Sequence, residues 1–313
     1  MNSMCFLRVL CVLCGEILLL DVSARAQVLP TSPLAIARSG AMAAVAGRAG
    51  DALGSQPATL GELPVGEANA FVAREAMSLD NTGWFTGGIT GAWPIRDVGA
   101  FALGWTEQRG NVLSTDALRL SFGRRVGDRK APISAGLAIT GLWDRIDRGP
   151  FTVDAQGDPL LALHTSTLGW SVDAGVQARL SDAVRAGIVG HALNAPALDL
   201  DNSPTPAFEP EVRIGLGVEE DWIRGAIDGV WFTRKGTASV AAGVELLPFD
   251  GQLAVRTGID PDGFSAGLSA GFNPGWKAWL DWSVRVPMSD AQGELGATQW
   301  FGLRVRLPDD RGR

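Results

Sequence analysis

Apolar and polar residues alternate with a period of two along most of the chain after residue 65. In the stretch 170–180, for example, Trp170 and Val172 share one face, whereas Asp173 and Gln177 share the other. Stretches with the same alternation occur at 118–123, 211–219 and 263–272. Successive side chains of a β-strand point to opposite faces, so this pattern predicts strands that separate an apolar from a polar environment.

Fourteen such runs follow one another along the chain. They are predicted over 66–76, 84–95, 98–108, 116–125, 133–145, 167–180, 184–193, 211–219, 222–233, 238–247, 252–259, 263–272, 276–286 and 297–307. Strands of about ten residues that are tilted by about 40° cover about 25 Å, which matches the apolar band of a membrane barrel. We therefore predict an all-β fold, a 14-stranded antiparallel transmembrane β-barrel.

The lengths of the connections support this interpretation. Every second connection is short, and the long ones, at 146–166, 194–210 and 287–296, all fall in the other set. Outer-membrane barrels have short periplasmic turns and longer outer loops. Two connections of the second set, at 234–237 and 260–262, are also short, so the alternation is imperfect.

A soluble β-sandwich or propeller is the alternative, because those folds also alternate. Lysine is scarce and the polar faces consist mainly of Gly, Ser and Arg, which favours the membrane barrel. Tryptophans near the strand ends are expected to form interfacial girdles, or else to be core aromatics. They are Trp84, Trp93, Trp143, Trp170, Trp222, Trp231, Trp276 and Trp300.

The chain before the strands has a different character. Residues 1–26 combine Arg8, an apolar run over 9–20 that Gly15 and Glu16 interrupt, and a small-residue cleavage site at Ala24-Arg25-Ala26, which together predict a signal peptide. A membrane anchor is the alternative, but the apolar run is shorter than the roughly 20 residues that an anchor needs. The Ala- and Gly-rich stretch 33–60 predicts a small helical or irregular plug. The expected organisation is signal peptide 1–26, plug 27–65, barrel 66–307 and periplasmic tail 308–313.

The composition leaves little material for catalysis. All three cysteines, Cys5, Cys11 and Cys14, lie in the predicted signal peptide, and the rest of the chain has only His164 and His191. No G-x-S-x-G motif is present, so we predict no enzyme, no metal site and no cofactor. The formal net charge of −7 gives no basic footprint for a nucleic-acid partner.

If the apolar faces contact lipid, many charged residues point into the lumen. The predicted lumen network comprises Arg119, Asp173, Arg179, Arg185, Arg213, Arg224, Asp228, Glu245, Arg256, Asp281, Arg285 and Arg304. Buried charges need partners, so we expect arginine–carboxylate networks that hold the wall and the plug. Because bases outnumber acids in this set, an anion-favouring conduit is the alternative.

Two regions carry a family resemblance. Residues 40–46, GAMAAVA, and 50–60, GDALGSQPATL, resemble the N-terminal signature of the PorV/PorQ family, relatives of FadL-type fatty-acid transporters. The closing stretches 254–259, 280–282 and 299–307 are also similar. Gln56 stands where the family has Asn, and Thr59 where it has Gly. The resemblance implies a 14-stranded barrel with an N-terminal plug, and either passage of hydrophobic molecules or a role in type IX secretion.

These observations lead to one main hypothesis and two alternatives. The first is a bacterial outer-membrane barrel that admits small hydrophobic molecules when its plug moves. The second is a non-enzymatic partner or shuttle that binds secreted proteins, and the third is a barrel without a transport role. Membrane lipid is the expected surrounding, and the oligomeric state is not predicted. The predicted plug or gate residues are Gly40, Met42, Asp51, Gln56, Pro57 and Ala58.

Overall fold

The computed structural model describes residues 43–44, 53–74, 85–110, 113–127, 132–146, 166–194, 197–198, 205–206, 209–272, 277–288 and 296–307. The predicted signal peptide and the predicted tail lie outside these residues, as do Trp84, Trp276 and His164.

Strands dominate the described part of the chain. They are β1 (Glu67–Arg74), β2 (Phe85–Ile95), β3 (Gly99–Arg109), β4 (Leu113–Val126), β5 (Ile133–Ile146), β6 (Ser166–Arg179), β7 (Val184–His191), β8 (Ala197–Leu198), β9 (Thr205–Pro206), β10 (Glu211–Glu219), β11 (Ile223–Phe232), β12 (Thr237–Leu246), β13 (Leu253–Asp260), β14 (Gly263–Phe272), β15 (Lys277–Pro287) and β16 (Thr298–Arg306). The described residues also include 3₁₀ helices at Pro57–Glu62 and Phe249–Gly251. Within the described residues, no helix is both long and apolar enough to cross a membrane.

Fourteen of these strands close into one antiparallel barrel, which confirms the predicted fold class. Neighbours in sequence pair throughout, except that β7 pairs with β10 across the small β8–β9 hairpin. Closure comes from β1 and β16, which pair from Glu67 opposite Arg306 to Arg74 opposite Gln299. A closed barrel satisfies its backbone hydrogen bonds between strands and leaves no free edge.

The observed strand bounds follow the predicted ones closely. β7 ends at His191, whereas the pattern predicted strand to residue 193. Ala192 has a φ of 49°, a left-handed conformation that breaks the strand. β4 begins at Leu113 instead of residue 116, because Ser114, Thr115 and Asp116 are all polar and carry no alternation.

Burial is inverted relative to a soluble protein. Large apolar side chains are exposed on the outer face, as Leu120 and Ile139 show with 53% and 55% exposure. Polar side chains between them face inward and are buried, and Ser121 is only 1% exposed. A soluble sandwich would bury the apolar face, so this arrangement is that of a barrel with lipid outside and a polar lumen.

The two ends of the barrel differ. The chain enters β1 and leaves β16 at the end that carries the turns 96–98, 180–183, 220–222 and 247–252, which we call the short-turn end. The opposite end, which we call the long-loop end, carries the connections 147–165 and 192–210.

Five of the predicted girdle tryptophans are exposed on the outer face: Trp93, Trp143, Trp170, Trp222 and Trp231. The prediction is wrong for Trp300, which is 4% exposed and packs inside with Phe71 and Ala73. Its neighbour Phe301 is 52% exposed, and strand alternation therefore directs Trp300 inward.

The outer face of β4 provides a test of the membrane assignment. Leu120 in mid-strand and Val126 at the strand end are each 53% exposed on the same face. Leu120→Arg should lower the free energy of unfolding by about 2–4 kcal/mol, and Val126→Arg by no more than about 1 kcal/mol, because the cost falls towards the interface. Urea titration of tryptophan fluorescence in phospholipid bilayers measures both. Equal losses at the two positions would contradict a lipid-embedded wall.

Candidate functional site

The inner wall carries the chemistry of this barrel. Strand alternation directs every residue of the predicted lumen network to the inward face. The structure divides that network into one long connected system, one smaller cluster and local contacts elsewhere on the inner face.

A continuous row of ion pairs runs along the wall from β7 to β13. Strand register places Glu219, Arg224, Glu245 and Arg256 directly opposite one another on successive strands. Arg224 Nε lies 3.0 Å from Glu219 Oε1, and Arg224 Nη1 lies 3.7 Å from Glu245 Oε2. Glu245 Oε1 lies 2.7 Å from Arg256 Nη2. On the other side, Arg185 Nε donates to Glu219 Oε2 at 3.0 Å.

The row continues from β13 to β16. Arg256 Nη1 donates to Ser269 Oγ at 2.5 Å, and Ser269 Oγ donates to Asp281 Oδ1. Asp281 Oδ2 lies 3.4 Å from Arg304 Nε. The Arg304 guanidinium stacks 4.5 Å from the centre of the Trp279 ring, where a cation–π attraction adds to the pairing.

The last links reach β1 and the segment inside the barrel. Arg306 stacks over the same Trp279 ring at 5.3 Å and lies 3.5 Å from Glu67 of β1. Arg185 also pairs with Glu62 of the first 3₁₀ helix. We call the connected set the charge belt: Glu62, Glu67, Arg185, Glu219, Arg224, Glu245, Arg256, Ser269, Trp279, Asp281, Arg304 and Arg306.

The charge belt is balanced in charge, and its central members are buried. It contains five arginines and five carboxylates, so its formal charge is zero. Glu245 is 0% and Arg256 2% exposed, and charges so far from water are stable only when each has a partner. The sequence-based network missed Glu62, Glu67 and Glu219, which supply three of the five carboxylates of the charge belt.

The opposite wall, β2 to β6, carries many small inward-facing side chains beside a few charged ones such as Arg119 and Asp173. Thr90, Ala92, Ala102, Ser121 and Ala138 face inward there and are buried. The first 3₁₀ helix packs against β3, β4, β5 and β6, whereas the charge belt lines the strands from β7 to β1.

Close approach of this helix depends on inward-facing glycines. A Cβ added to Gly136 would meet the Pro57 carbonyl group, and one added to Gly175 would meet the Gln56 side chain. At Gly123 it would lie 2.5 Å from the Pro57 oxygen. The wall therefore holds the helix at a distance that only glycine permits.

We call residues 43–44 and 53–65 the inner segment. Its central polar contact is Gln56, which is 0% exposed. Gln56 Nε2 donates to the Ala43 carbonyl at 3.1 Å and to the Ile188 carbonyl of β7 at 3.2 Å, while its Oε1 accepts from the Ala58 amide at 3.3 Å. One side chain thus joins two parts of the inner segment to each other and to the wall.

A second polar contact holds the inner segment at residue 43. The Ala43 amide donates to Asp228 Oδ2 of β11 at 2.9 Å. Of the predicted gate residues, Gln56, Pro57 and Ala58 are buried inside the barrel, and Gly40, Met42 and Asp51 lie outside the described residues.

A second charged cluster lies apart from the charge belt, on β4, β6 and β7. Arg119 Nη2 donates to Asp173 Oδ2, which also lies 3.1 Å from His191 Nδ1. Asp173 Oδ1 accepts from the Ala192 amide at 2.8 Å and so fixes the end of β7. Among the described residues, no group of three metal-ligating side chains could hold an ion.

The remaining predicted network residues make local pairs near the rims. Arg213 pairs with Glu211 at 2.6 Å on the same strand, and Arg285 pairs with Asp260 at 2.8 Å. Arg179 lies at the short-turn end and donates to the Asp182 carbonyl at 3.1 Å.

Similarity to solved structures agrees with this geometry. A Pseudomonas aeruginosa FadL homologue is similar with a TM-score of 0.58 and 12% identity, over 90% of this chain and 99% of that one. The Pseudomonas putida toluene transporter TodX gives a TM-score of 0.50 and 13% identity, over 86% and 96% of the two chains. The fold is therefore FadL-like.

No family model matches the chain, and no curated protein matches it.

Removal of one belt charge should be costly. Glu245→Gln leaves Arg256 buried with a weaker partner, so the free energy of unfolding should fall by about 3 kcal/mol or more. Glu220→Gln, in an exposed turn of the same barrel, is the control and should cost under about 0.5 kcal/mol. Adding Arg256→Met to Glu245→Gln should recover part of the loss in urea titrations. A loss at Glu245 no larger than at Glu220 would show that the pairing is not needed.

Glycine at residue 136 should control how the inner segment packs. Gly136→Val places a side chain where the Pro57 carbonyl lies and should displace the inner segment. A cysteine at the buried residue Ala58 should then react faster with a membrane-impermeant maleimide. Gly229→Val is the control, since a Cβ there lies 3.9 Å from the Ile214 oxygen, and it should leave the labelling rate unchanged. Equal rates in both backgrounds would contradict the packing described above.

Proposed function

We propose that this chain is a bacterial outer-membrane channel for small hydrophobic molecules, and that the inner segment is its gate. The observation that carries the proposal is the way the inner segment is held. It lies inside the lumen, and its described links to the wall include polar contacts through Gln56, Ala43 and Glu62. Such contacts can exchange for water when the segment moves, whereas the closed wall around it stays intact.

The location follows from the wall. An apolar outer face around a polar, charged interior is stable only in lipid, and barrels of this kind belong to outer membranes. The unequal connections orient the barrel, with the short-turn end towards the periplasm and the long-loop end towards the outside.

The proposed substrate class rests on the apolar surfaces inside the barrel. Leu53, Leu60 and Leu63 of the inner segment form a buried cluster with Ala92, Ala100 and Ala102 of the wall. Phe71, Ala73 and Trp300 form a second apolar cluster on the inner face of β1 and β16. Movement of the inner segment would uncover the first cluster and offer an apolar surface to a solute. FadL-like barrels that are named for toluene transport support the same class of solute.

A general anion pore is the weaker interpretation. The charge belt pairs each arginine with a carboxylate, so its fixed charge does not favour one sign of ion. The PorV/PorQ assignment and a role in protein secretion depend on the sequence resemblance alone, so we favour the channel.

Transport through purified protein tests this proposal. In proteoliposomes, labelled toluene or fatty acid should enter faster than in empty vesicles. Asp228→Asn weakens the bond to the Ala43 amide and should raise the flux, because a charged acceptor is stronger than a neutral one. Arg124→Gln changes an exposed charge on the outer face and should leave the flux unchanged.

A double variant, Asp228→Asn with Gln56→Ala, weakens two contacts of the inner segment and controls for a wild-type gate that stays closed in the assay. If neither the wild type nor Asp228→Asn with Gln56→Ala exceeds empty vesicles, the channel proposal fails.

A further inference from the structure

An ordered row of residues lies on the outer face of the barrel at its long-loop end. Strand register sets the members directly opposite one another across six strands, in the order Arg74, Phe85, Arg109, Ser114, Arg145 and Ser166. The three arginines therefore occupy alternate strands, β1, β3 and β5. All three are exposed, on the same face as the apolar residues that contact lipid.

The spacing of these arginines is fixed by the sheet. Neighbouring strands lie about 4.8 Å apart, so guanidinium-bearing positions on alternate strands are about 10 Å apart. We call Arg74, Arg109 and Arg145 the arginine rim. A β-sheet cannot change this spacing without breaking its hydrogen bonds, so the backbone positions of the rim are preorganised.

Hydrogen-bonded neighbours hold one member of the arginine rim, Arg145. Arg145 Nη2 donates to Asp116 Oδ2, and the other oxygen of Asp116 accepts from Trp105 Nε1 at 3.2 Å. The Arg145 side chain remains 58% exposed, whereas Asp116 is 15% exposed. The carboxylate thus orients the guanidinium and leaves most of it available.

Carboxylates lie close to the rim but do not cancel it. Glu107 lies directly opposite Asp116 and two residues before Arg109 on the same face. Three arginines thus face two carboxylates, and the two acids lie one step below the row, towards the middle of the strands.

Apolar and aromatic side chains lie directly below the rim. Trp105 and Trp143 are each 38% exposed there, and Leu168 and Trp170 follow on β6 with 65% and 59% exposure. A ligand that contacts both the arginine rim and the apolar side chains below it must combine an anionic head with a hydrocarbon part. Amphipathic tryptophans favour that boundary in membrane proteins.

We propose that the arginine rim binds the phosphorylated headgroup of an anionic lipid in the outer leaflet, with its acyl chains against the tryptophans. This inference rests on the outer-membrane location given in the proposed function, and not on the transport activity. Guanidinium groups bind phosphate oxygens in a bidentate fashion, and an array of them matches a headgroup that carries more than one phosphate. A free phosphate ion would use the cations but not the apolar surface below them.

Native mass spectrometry of the full-length detergent-solubilised barrel tests the site, with diphosphorylated lipid A as the probe. The variant Arg74→Gln/Arg109→Gln/Arg145→Gln should bind it about 100-fold more weakly than the wild type, since each arginine near an anionic lipid contributes about fivefold. The control Arg96→Gln/Arg124→Gln/Arg125→Gln removes the same charge from exposed residues at the short-turn end and should bind like the wild type.

Further experiments distinguish a lipid phosphate from free inorganic phosphate and show whether a variant has merely failed to fold. Inorganic phosphate should not displace the lipid, and an arginine-to-lysine triple variant should retain most of the binding. If the glutamine triple variant does not form a heat-modifiable barrel, Arg145→Gln alone should still show its fivefold loss. Equal lipid binding by wild type and rim variants, equal losses in rim and control variants, or displacement by inorganic phosphate would each overturn the proposal. No transport is measured, so this result and the channel test can fail separately.

Discussion

The pairing of buried charges along the inner wall is the constraint on which this structure depends. A barrel that places its apolar residues against lipid must place its polar residues inside, where an unpaired charge is costly. The charge belt satisfies this requirement strand by strand, because register sets Glu219, Arg224, Glu245 and Arg256 opposite one another. The belt runs over the strands from β7 to β1, and the rest of the wall combines many small residues with the paired Arg119 and Asp173.

That division explains where the inner segment lies. Small inward residues and Gly123, Gly136 and Gly175 on β4 to β6 leave room for a helix, whereas the charge belt fills its side of the lumen with long side chains. The two halves meet where Glu62 of the inner segment pairs with Arg185 of the belt. The inner segment is therefore linked to the same network that stabilises the wall, and this link would couple the proposed gating to the barrel.

Much of the fold could be predicted from sequence, because a period of two is a strong signal when it is repeated along many strands. Alternation also gave the inward direction of residues such as Arg256 and Asp281. It could not give their partners, since pairing depends on strand register and on the distant inner segment, as between Glu62 and Arg185. Its place near a strand end predicts a girdle position for Trp300, but the alternation of side chains along β16 directs Trp300 inward. The contacts of Gln56 could not be predicted, because two of its three partners are backbone groups outside its own helix.

Movement of the inner segment against a fixed wall is the central claim, and a reversible tether tests it most directly. A Cβ on Gly217 would lie 3.5 Å from the Cβ of Ala44, within the range of a disulfide. It would also lie 2.8 Å from the Ala44 oxygen, so the Gly217→Cys single variant controls for displacement of the inner segment. The measurement is hydrophobic-solute flux through Ala44→Cys/Gly217→Cys barrels, first oxidised and then reduced. The account predicts that flux stops on oxidation and returns on reduction, with no such change in either single variant. The same flux in the oxidised and reduced states would contradict a gate formed by the inner segment.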